Sequence, residues 1–221
     1  MDFENKIEII KAELKKPLPG EMEQFKMAPE FRRSFDFPSP AKKAAVMICL
    51  LPGGQDLQIV FMKRPEYDGP HGGQISLPGG VFVTIDSDMA ETALRETREE
   101  IGLHCEKSSV LGTLTPLNIP VSNTNVTPFV GSYNQVADFY IDKREVDFLI
   151  IASLGELLNP SCKQKEKWIL NGREMMVPFY KVKGNTIWGA TAMILCEFLA
   201  VISGSGLYPQ FQCSDSDRID T

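Results

Sequence analysis

A chain of 221 residues with 43% hydrophobic and 24% charged side chains has the make-up of one soluble globular domain, with room for an N-terminal extension. Its formal net charge of −6 argues against non-specific binding of nucleic acid, so none is expected as a partner. No apolar run reaches bilayer-spanning length and Met1-Asp2-Phe3-Glu4 opens no secretory signal, so no membrane partner and a cytoplasmic location are expected.

Apolar residues at Phe3, Ile7, Ile10 and Leu14 repeat at a helical period and predict a helix over Phe3–Lys15, ended by Pro17 and Pro19. A Pro- and charge-rich connector then runs to Pro40, so residues 1–40 read as an extension ahead of a domain over residues 41–203. Lys43–Leu51 is a continuous apolar run closed by Pro52-Gly53-Gly54; it predicts a buried strand, with Leu57–Lys63 as its hairpin partner. A loop over Arg64–Gly73 leads through Gln74-Ile75-Ser76-Leu77 to a Pro78-Gly79-Gly80 turn.

A helix is expected over Asp88–Ile101, capped by Asp86, Ser87 or Asp88 and stopped by Gly102. It buries Met89, Ala93, Leu94, Thr97 and Ile101. Strands over Val110–Thr115, Val126–Tyr133 and Val146–Ile151 follow, then a short helix over Leu154–Leu158 that Pro160 stops. Lys167–Leu170 and Met175–Val182 form a hairpin around Asn171-Gly172. Gly189–Ile202 is apolar almost all round and reads as a buried helix, and residues 204–221 form a flexible tail. Strands on both sides of an acidic helix, with a late second helix, predict an α/β fold whose mixed sheet lies between helices.

The acidic helix carries the chemistry. Glu96, Glu99 and Glu100 fall within one turn of each other and project over roughly 100° of one face. Such like charges repel in water, and a hard divalent cation with oxygen ligands turns that penalty into binding; beside phosphates the usual ion is Mg²⁺. A solvated acidic face is the plain alternative. Against it stand the Gly102 stop, the interleaved Arg95 and Arg98, and the glycine-rich turn a short way upstream. The five cysteines (Cys49, Cys105, Cys162, Cys196 and Cys213) include no C-x-x-C pair and suit a reducing compartment. With only His71 and His104, no zinc or histidine-rich site is expected.

The stretch Arg95-Glu96-Thr97-Arg98-Glu99-Glu100-Ile101-Gly102-Leu103 resembles the second half of the Nudix box, G-x5-E-x7-R-E-U-x-E-E-x-G-U with U aliphatic. It departs only at Thr97. In the first half Ser87 stands where the family has Glu, Val81 stands at the box glycine, and Gly80 lies one residue early. The segment Lys63–Gly80 is similar to the signature of one branch, the coenzyme A pyrophosphatases. It matches at Lys63, Arg64, His71, Gly73, Pro78, Gly79 and Gly80, and departs at Pro65, Asp68 and Gly69. Downstream, Ile187-Trp188-Gly189-Ala190-Thr191-Ala192 resembles the late I-W-G-x-T-A of that branch.

The resemblance implies an α/β/α Nudix sandwich and metal-dependent hydrolysis of a pyrophosphate linkage. The substrate it implies is CoA-like, a small nucleotide diphosphate, and the products from CoA are 3′,5′-ADP and 4′-phosphopantetheine. The cofactor is Mg²⁺ or Mn²⁺. Glu99 and Glu100 become the principal metal ligands, with Glu96 as ligand or general base held by Arg95. A main-chain carbonyl at Gly79 or Gly80 completes the shell, and Glu145 or Asp147 supplies a further carboxylate. Arg64, His71, Gly73, Gly79 and Gly80 are the expected substrate contacts. Hydrolysis of another nucleoside diphosphate such as ADP-ribose, NADH or a dinucleotide, and a Nudix-like binding module without turnover, stay open at this point. So does a homodimer in which the first helix packs on a second subunit.

Overall fold

In the computed structural model, residues 1–30, 41–69, 71–134, 138–170 and 172–211 are described. Residues 31–40 of the expected connector, Asn171 of the expected turn and residues 212–221 of the expected tail lie outside them.

The run expected as a buried strand is the longest strand of the molecule, β1 (Lys42–Gly53), and its even and odd residues serve two different cores. Ala44, Ile48 and Leu50 face one side, and Ala45, Met47, Cys49 and Leu51 the other. Alternation of side chains across the pleat explains why an unbroken apolar sequence is needed here. β2 (Asp56–Lys63) returns antiparallel from Gly53↔Asp56 to Leu50↔Ile59, and there the two strands part. The gap is filled by β3 (Ile75–Ser76), which pairs with β2 at Lys63 and Met62, and by β4 (Gly79–Val81), which pairs with β1 from Val46 to Ala44. Pro78 between them accepts the Met47 N–H at 2.9 Å. The Pro-Gly-Gly segment, expected as a turn, is thus a wedge inside the sheet. Gly79 makes it possible: its φ of +151° and its close approach to Ala45 and Val46 leave no space for a Cβ.

α3 (Met89–Ile101) follows, with Asp88 accepting the Glu91 N–H at 3.0 Å as N-cap and Gly102 closing it in the left-handed region. Its Ala93, Leu94 and Ile101 pack on the odd face of β1. β5 (Val110–Thr113), β6 (Leu117–Ile119) and β7 (Thr124–Ser132) come next. β7 runs parallel to β1 over its whole length, from Lys42↔Thr124 to Leu50↔Ser132. β5 and β6 pair antiparallel with β7, and β8 (Phe148–Ser153) pairs antiparallel with the outer edge of β2. β8 begins two residues later than the sequence suggests, because Val146 closes a turn on Asp142 and is buried under α3's core.

α4 (Leu154–Leu158) leads to a second sheet of three antiparallel strands, β9 (Lys163–Leu170), β10 (Arg173–Val182) and β11 (Asn185–Trp188). α5 (Gly189–Gly204) then lies across the even face of β1, opposite α3. The result is a mixed eight-stranded sheet sandwiched between α3 and α5, an α/β/α architecture. α1 (Phe3–Glu13) adds Ile7 and Ile10 to the same core as α5, and Leu14 follows them. The connector holds an unexpected helical turn, α2 (Glu21–Gln24), with Met27 fully buried just beyond it.

Candidate active site

A cavity of about 730 Å³ opens between the β3–β4 wedge, the start of α5 and the even face of β1. Glu96, Glu99 and Glu100 line one end of it. The pairing of β4 with β1 brings Gly79 under the last turn of α3, where its N–H donates to Glu100 Oε2 at 2.8 Å. Glu100 is only 2% exposed. Burial pushes its carboxyl up to about 8, with the charges of Glu96 and Glu145 adding to the rise; Arg64, whose Nη2 lies 3.8 Å from Oε1, and the Gly79 N–H offset part of it. Burial likewise raises Glu96, against the lowering effect of Arg95.

Glu145 joins them from a turn after β7. That turn hangs on α3, since the Asp142 N–H donates to the Glu100 carbonyl at 3.0 Å, and the Glu145 N–H returns to the Asp142 carbonyl at 3.0 Å. Glu96, Glu100 and Glu145 each place one oxygen within 4.8 Å of the others. Three carboxylates at that spacing, one of them buried and pushed toward its neutral form, are an unfavourable set without a compensating charge. A hard divalent cation with oxygen ligands fits them. Asp147, the other carboxylate considered from sequence, neither joins this group nor lines the cavity; its main-chain N–H pairs with the Lys63 carbonyl at the end of β2.

Glu99 shares the Arg95 guanidinium with Glu96 and also lines the cavity, but it is the most exposed of the three glutamates. Its Oε2 accepts from Arg95 Nη1 at 3.0 Å and its side chain is 55% exposed. Arg95, expected among the catalytic residues, does not line the cavity. Its nearly buried guanidinium instead clamps three carboxylates: Asp86 through Nε at 2.8 Å and Nη2 at 3.1 Å, and Glu96 and Glu99 through Nη1. Any effect of Arg95 on the cavity passes through Glu96, which it holds at 2.7 Å.

Asp86, which sequence reasoning left among three N-cap candidates, is the anchor of this clamp. It is buried, and it also accepts from Thr92 Oγ1 at 2.8 Å and from the Val83 N–H at 3.2 Å. The Arg95 guanidinium is the main reason its carboxyl is held at about 2, below the usual carboxylate range. The signal was present in the spacing: Gly80, five residues, then Asp86 reproduces the G-x5-E of the box when counted from Gly80. Ser87 is simply one residue past it.

Of the other expected contacts, Arg64, His71, Gly79 and Gly80 line the cavity. Gly73 does not; its φ of +67° serves the turn, and its Cα faces the Glu66 carboxylate. What Gly79 directs at the carboxylates is its N–H. Ala44, Val46, Ile119, Val126 and Ile194 give the cavity an apolar floor, and Lys42, Ser122 and Thr124 line it as well.

Fold and site together define an α/β/α protein with a carboxylate cluster set beside a Gly-Gly strand. The chain belongs to the Nudix family: residues 41–171 match the NUDIX domain. It is 33% identical over 172 residues to Nudix hydrolase 22, chloroplastic, of Arabidopsis thaliana, covering 73% of this chain and 55% of that protein. It is 35% identical over 137 residues to an uncharacterized Nudix hydrolase NudL of Photorhabdus laumondii, covering 62% of this chain and 73% of that one. The chain thus spans little more than half the length of the plant relative. Among solved structures, a MutT/nudix family protein from Enterococcus faecalis superposes with a TM-score of 0.52 at 10% identity, covering all of this chain and 90% of that one, a likeness of fold.

Proposed function

We propose that this chain hydrolyses the diphosphate bond of coenzyme A or its derivatives, giving 3′,5′-ADP and 4′-phosphopantetheine. The observation that carries the reading is the buried Glu100, grouped with Glu96 and Glu145 and facing the same cavity as Arg64. Glu96, Glu100 and Glu145 would hold Mg²⁺ or Mn²⁺, with Glu99 at the rim. Bound there, the ion supplies the positive charge that a diphosphate and its attacking water require. Gly79 fixes Glu100 through its N–H, Arg95 fixes Glu96, and Arg64 presents its guanidinium to phosphate oxygens.

Support for a CoA-type substrate comes from the Lys63–Gly80 signature and from the layout of the cavity. An apolar floor suits a slender uncharged arm, and Lys42, which also lines the cavity, has no ion pair among the described residues, which suits a second anionic group such as a 3′-phosphate. Pro65, Asp68 and Gly69 favour a second reading, a Nudix hydrolase for ADP-ribose, NADH or a dinucleotide polyphosphate.

A substrate panel with Mg²⁺ and with Mn²⁺ decides between them: CoA, dephospho-CoA, an acyl-CoA, ADP-ribose, NADH and a diadenosine polyphosphate. Cleavage of CoA to the two named products, in preference to dephospho-CoA, is expected. Turnover of ADP-ribose or NADH alone would move the assignment to the second reading, and no turnover of any would defeat both. Glu100→Gln is expected to keep the far-UV circular dichroism of the parent and to lose at least about a hundredfold in turnover, about 3 kcal/mol of barrier.

A further inference from the structure

The loop between β2 and β3 is closed into a compact ring. The Arg64 N–H donates to the Gln74 carbonyl at 3.0 Å, the Gly73 N–H to the Pro65 carbonyl at 3.0 Å, and the Gln74 N–H to the His71 carbonyl at 3.2 Å. Within this ring His71 has a φ of +72°, a left-handed conformation that a non-glycine residue adopts at a cost. Its outcome is a defined placement of the imidazole. Nδ1 lies 3.1 Å from Gln74 Oε1, and both side chains line the cavity beside Arg64 and Tyr67.

With Gln74 Oε1 turned toward the ring, the contact requires a donor on the histidine, which places its proton on Nδ1. In the neutral ring Nε2 then carries a lone pair. A phosphate oxygen is also an acceptor and is a poor match for that nitrogen, whereas Arg64 next to it offers only donors. The two neighbouring side chains thus divide the substrate between them: the guanidinium serves the charged linkage, the imidazole an uncharged group beside it.

We infer that Gln74 is a positioning residue that locks His71 in its Nδ1–H tautomer, so that Nε2 accepts a hydrogen bond from an O–H or N–H donor on the arm flanking the diphosphate, a sugar hydroxyl or an amide. The inference rests on the proposed function only in taking the diphosphate to lie between Arg64 and the carboxylates. The tautomer itself is a property of the free protein.

The test begins with long-range ¹H–¹⁵N correlation of the imidazoles in the full ¹⁵N-labelled chain near pH 8. Only His71 and His104 contribute, and His104→Gln assigns them. The parent is expected to show a protonated Nδ1 and an unprotonated Nε2 for His71. Gln74→Leu is expected to revert to the Nε2–H form that free imidazole side chains prefer, and Gln74→Glu, which still accepts from Nδ1, to keep the parent pattern. A parent spectrum with Nε2–H, or a Leu variant that keeps Nδ1–H, overturns the inference.

With whichever diphosphate the panel shows to be cleaved, Gln74→Leu is expected to raise KM about tenfold, the worth of one hydrogen bond, with kcat little changed and with rescue by Glu. A switched tautomer with unchanged KM overturns the donor recognition. Absence of turnover on every substrate strikes the diphosphatase reading instead, and the tautomer measurement then decides this inference by itself.

Discussion

Both oxygens of Asp86 are committed, to Arg95, Thr92 and the Val83 N–H, and none reaches the cavity. Its effect on chemistry passes through Arg95 to Glu96. Asp86→Asn keeps the shape but replaces an acceptor by a donor facing the guanidinium, so turnover is expected to fall at least about tenfold, with Glu96 loosened from its place. The same pair gives a pH signature. The folded-state carboxyl titrates near 2 against an ordinary 3.8, so its stabilisation is complete above the higher value and is lost as pH falls toward the lower. Urea unfolding between pH 5 and pH 2 should therefore show a steeper acid loss in the parent than in Asp86→Asn. Equal slopes would mean that Asp86 is not held by Arg95. A local spacing rule found the three glutamates because they lie on one helix. Asp86 was missed because counting back from Arg95 crosses the one residue by which this loop exceeds the family pattern. Glu145 was named only through the resemblance, since a turn 45 positions beyond Glu100 (145 − 100) has no periodic relation to it.

Among the elements, α3, β1, β2, α4 and α5 were legible because each is specified by its own pattern: helical stripes, unbroken apolar runs, Gly and Pro stops. The β3–β4 wedge was not. Pro78-Gly79-Gly80 carries turn residues, and only the parting of β1 from β2 makes room for it as sheet. β6 and β11 escaped notice for a related reason: each is short and set among turn residues, β6 between Pro116 and Pro120 and β11 between Gly184 and Gly189. The wedge separates the duties of its two glycines. A methyl group on Gly79 would press on the β1 backbone, whereas one on Gly80 would stand 2.5 Å from the Glu96 carboxyl carbon, at the free end of a flexible side chain. Gly80→Ala is accordingly expected to fold with a melting temperature near the parent's and to lose at least about tenfold in turnover as Glu96 is displaced. Gly79→Ala is expected to lose stability outright. Thermal melts and kinetics on the two variants check the division, and a fully active Gly80→Ala would refute it.

Across the whole molecule, the N-terminal segment is tied in by one buried carboxylate. Glu197 in α5 is fully buried and accepts from Gln24 Nε2 at 2.7 Å, Thr115 Oγ1 at 2.6 Å, the Thr115 N–H, and the Gly20 N–H at 3.2 Å. Gln24 also donates to the Thr115 carbonyl at 2.8 Å. The hub joins α2, α5 and the loop entering β6, whose Ile119 floors the cavity. Glu197→Ala leaves these donors without an acceptor and is expected to cost about 3 kcal/mol in urea unfolding, with Glu197→Gln costing less. An unchanged midpoint for Glu197→Ala would show that water replaces the carboxylate. No sequence pattern announces such a hub: a glutamate in an apolar helix is visible, but its partners are 82, 173 and 177 positions away in the chain.

The wedge has a last consequence, for how this molecule wears out. The amide that seats Glu100 belongs to a strand already laddered to β1, and Pro78 beside it closes on Met47 in the same strand. The seat of Glu100 thus rests on backbone that cannot loosen while the sheet stays paired. Heat that spoils this seat must first open the centre of the sheet, so loss of the Glu100 contact and melting share one barrier.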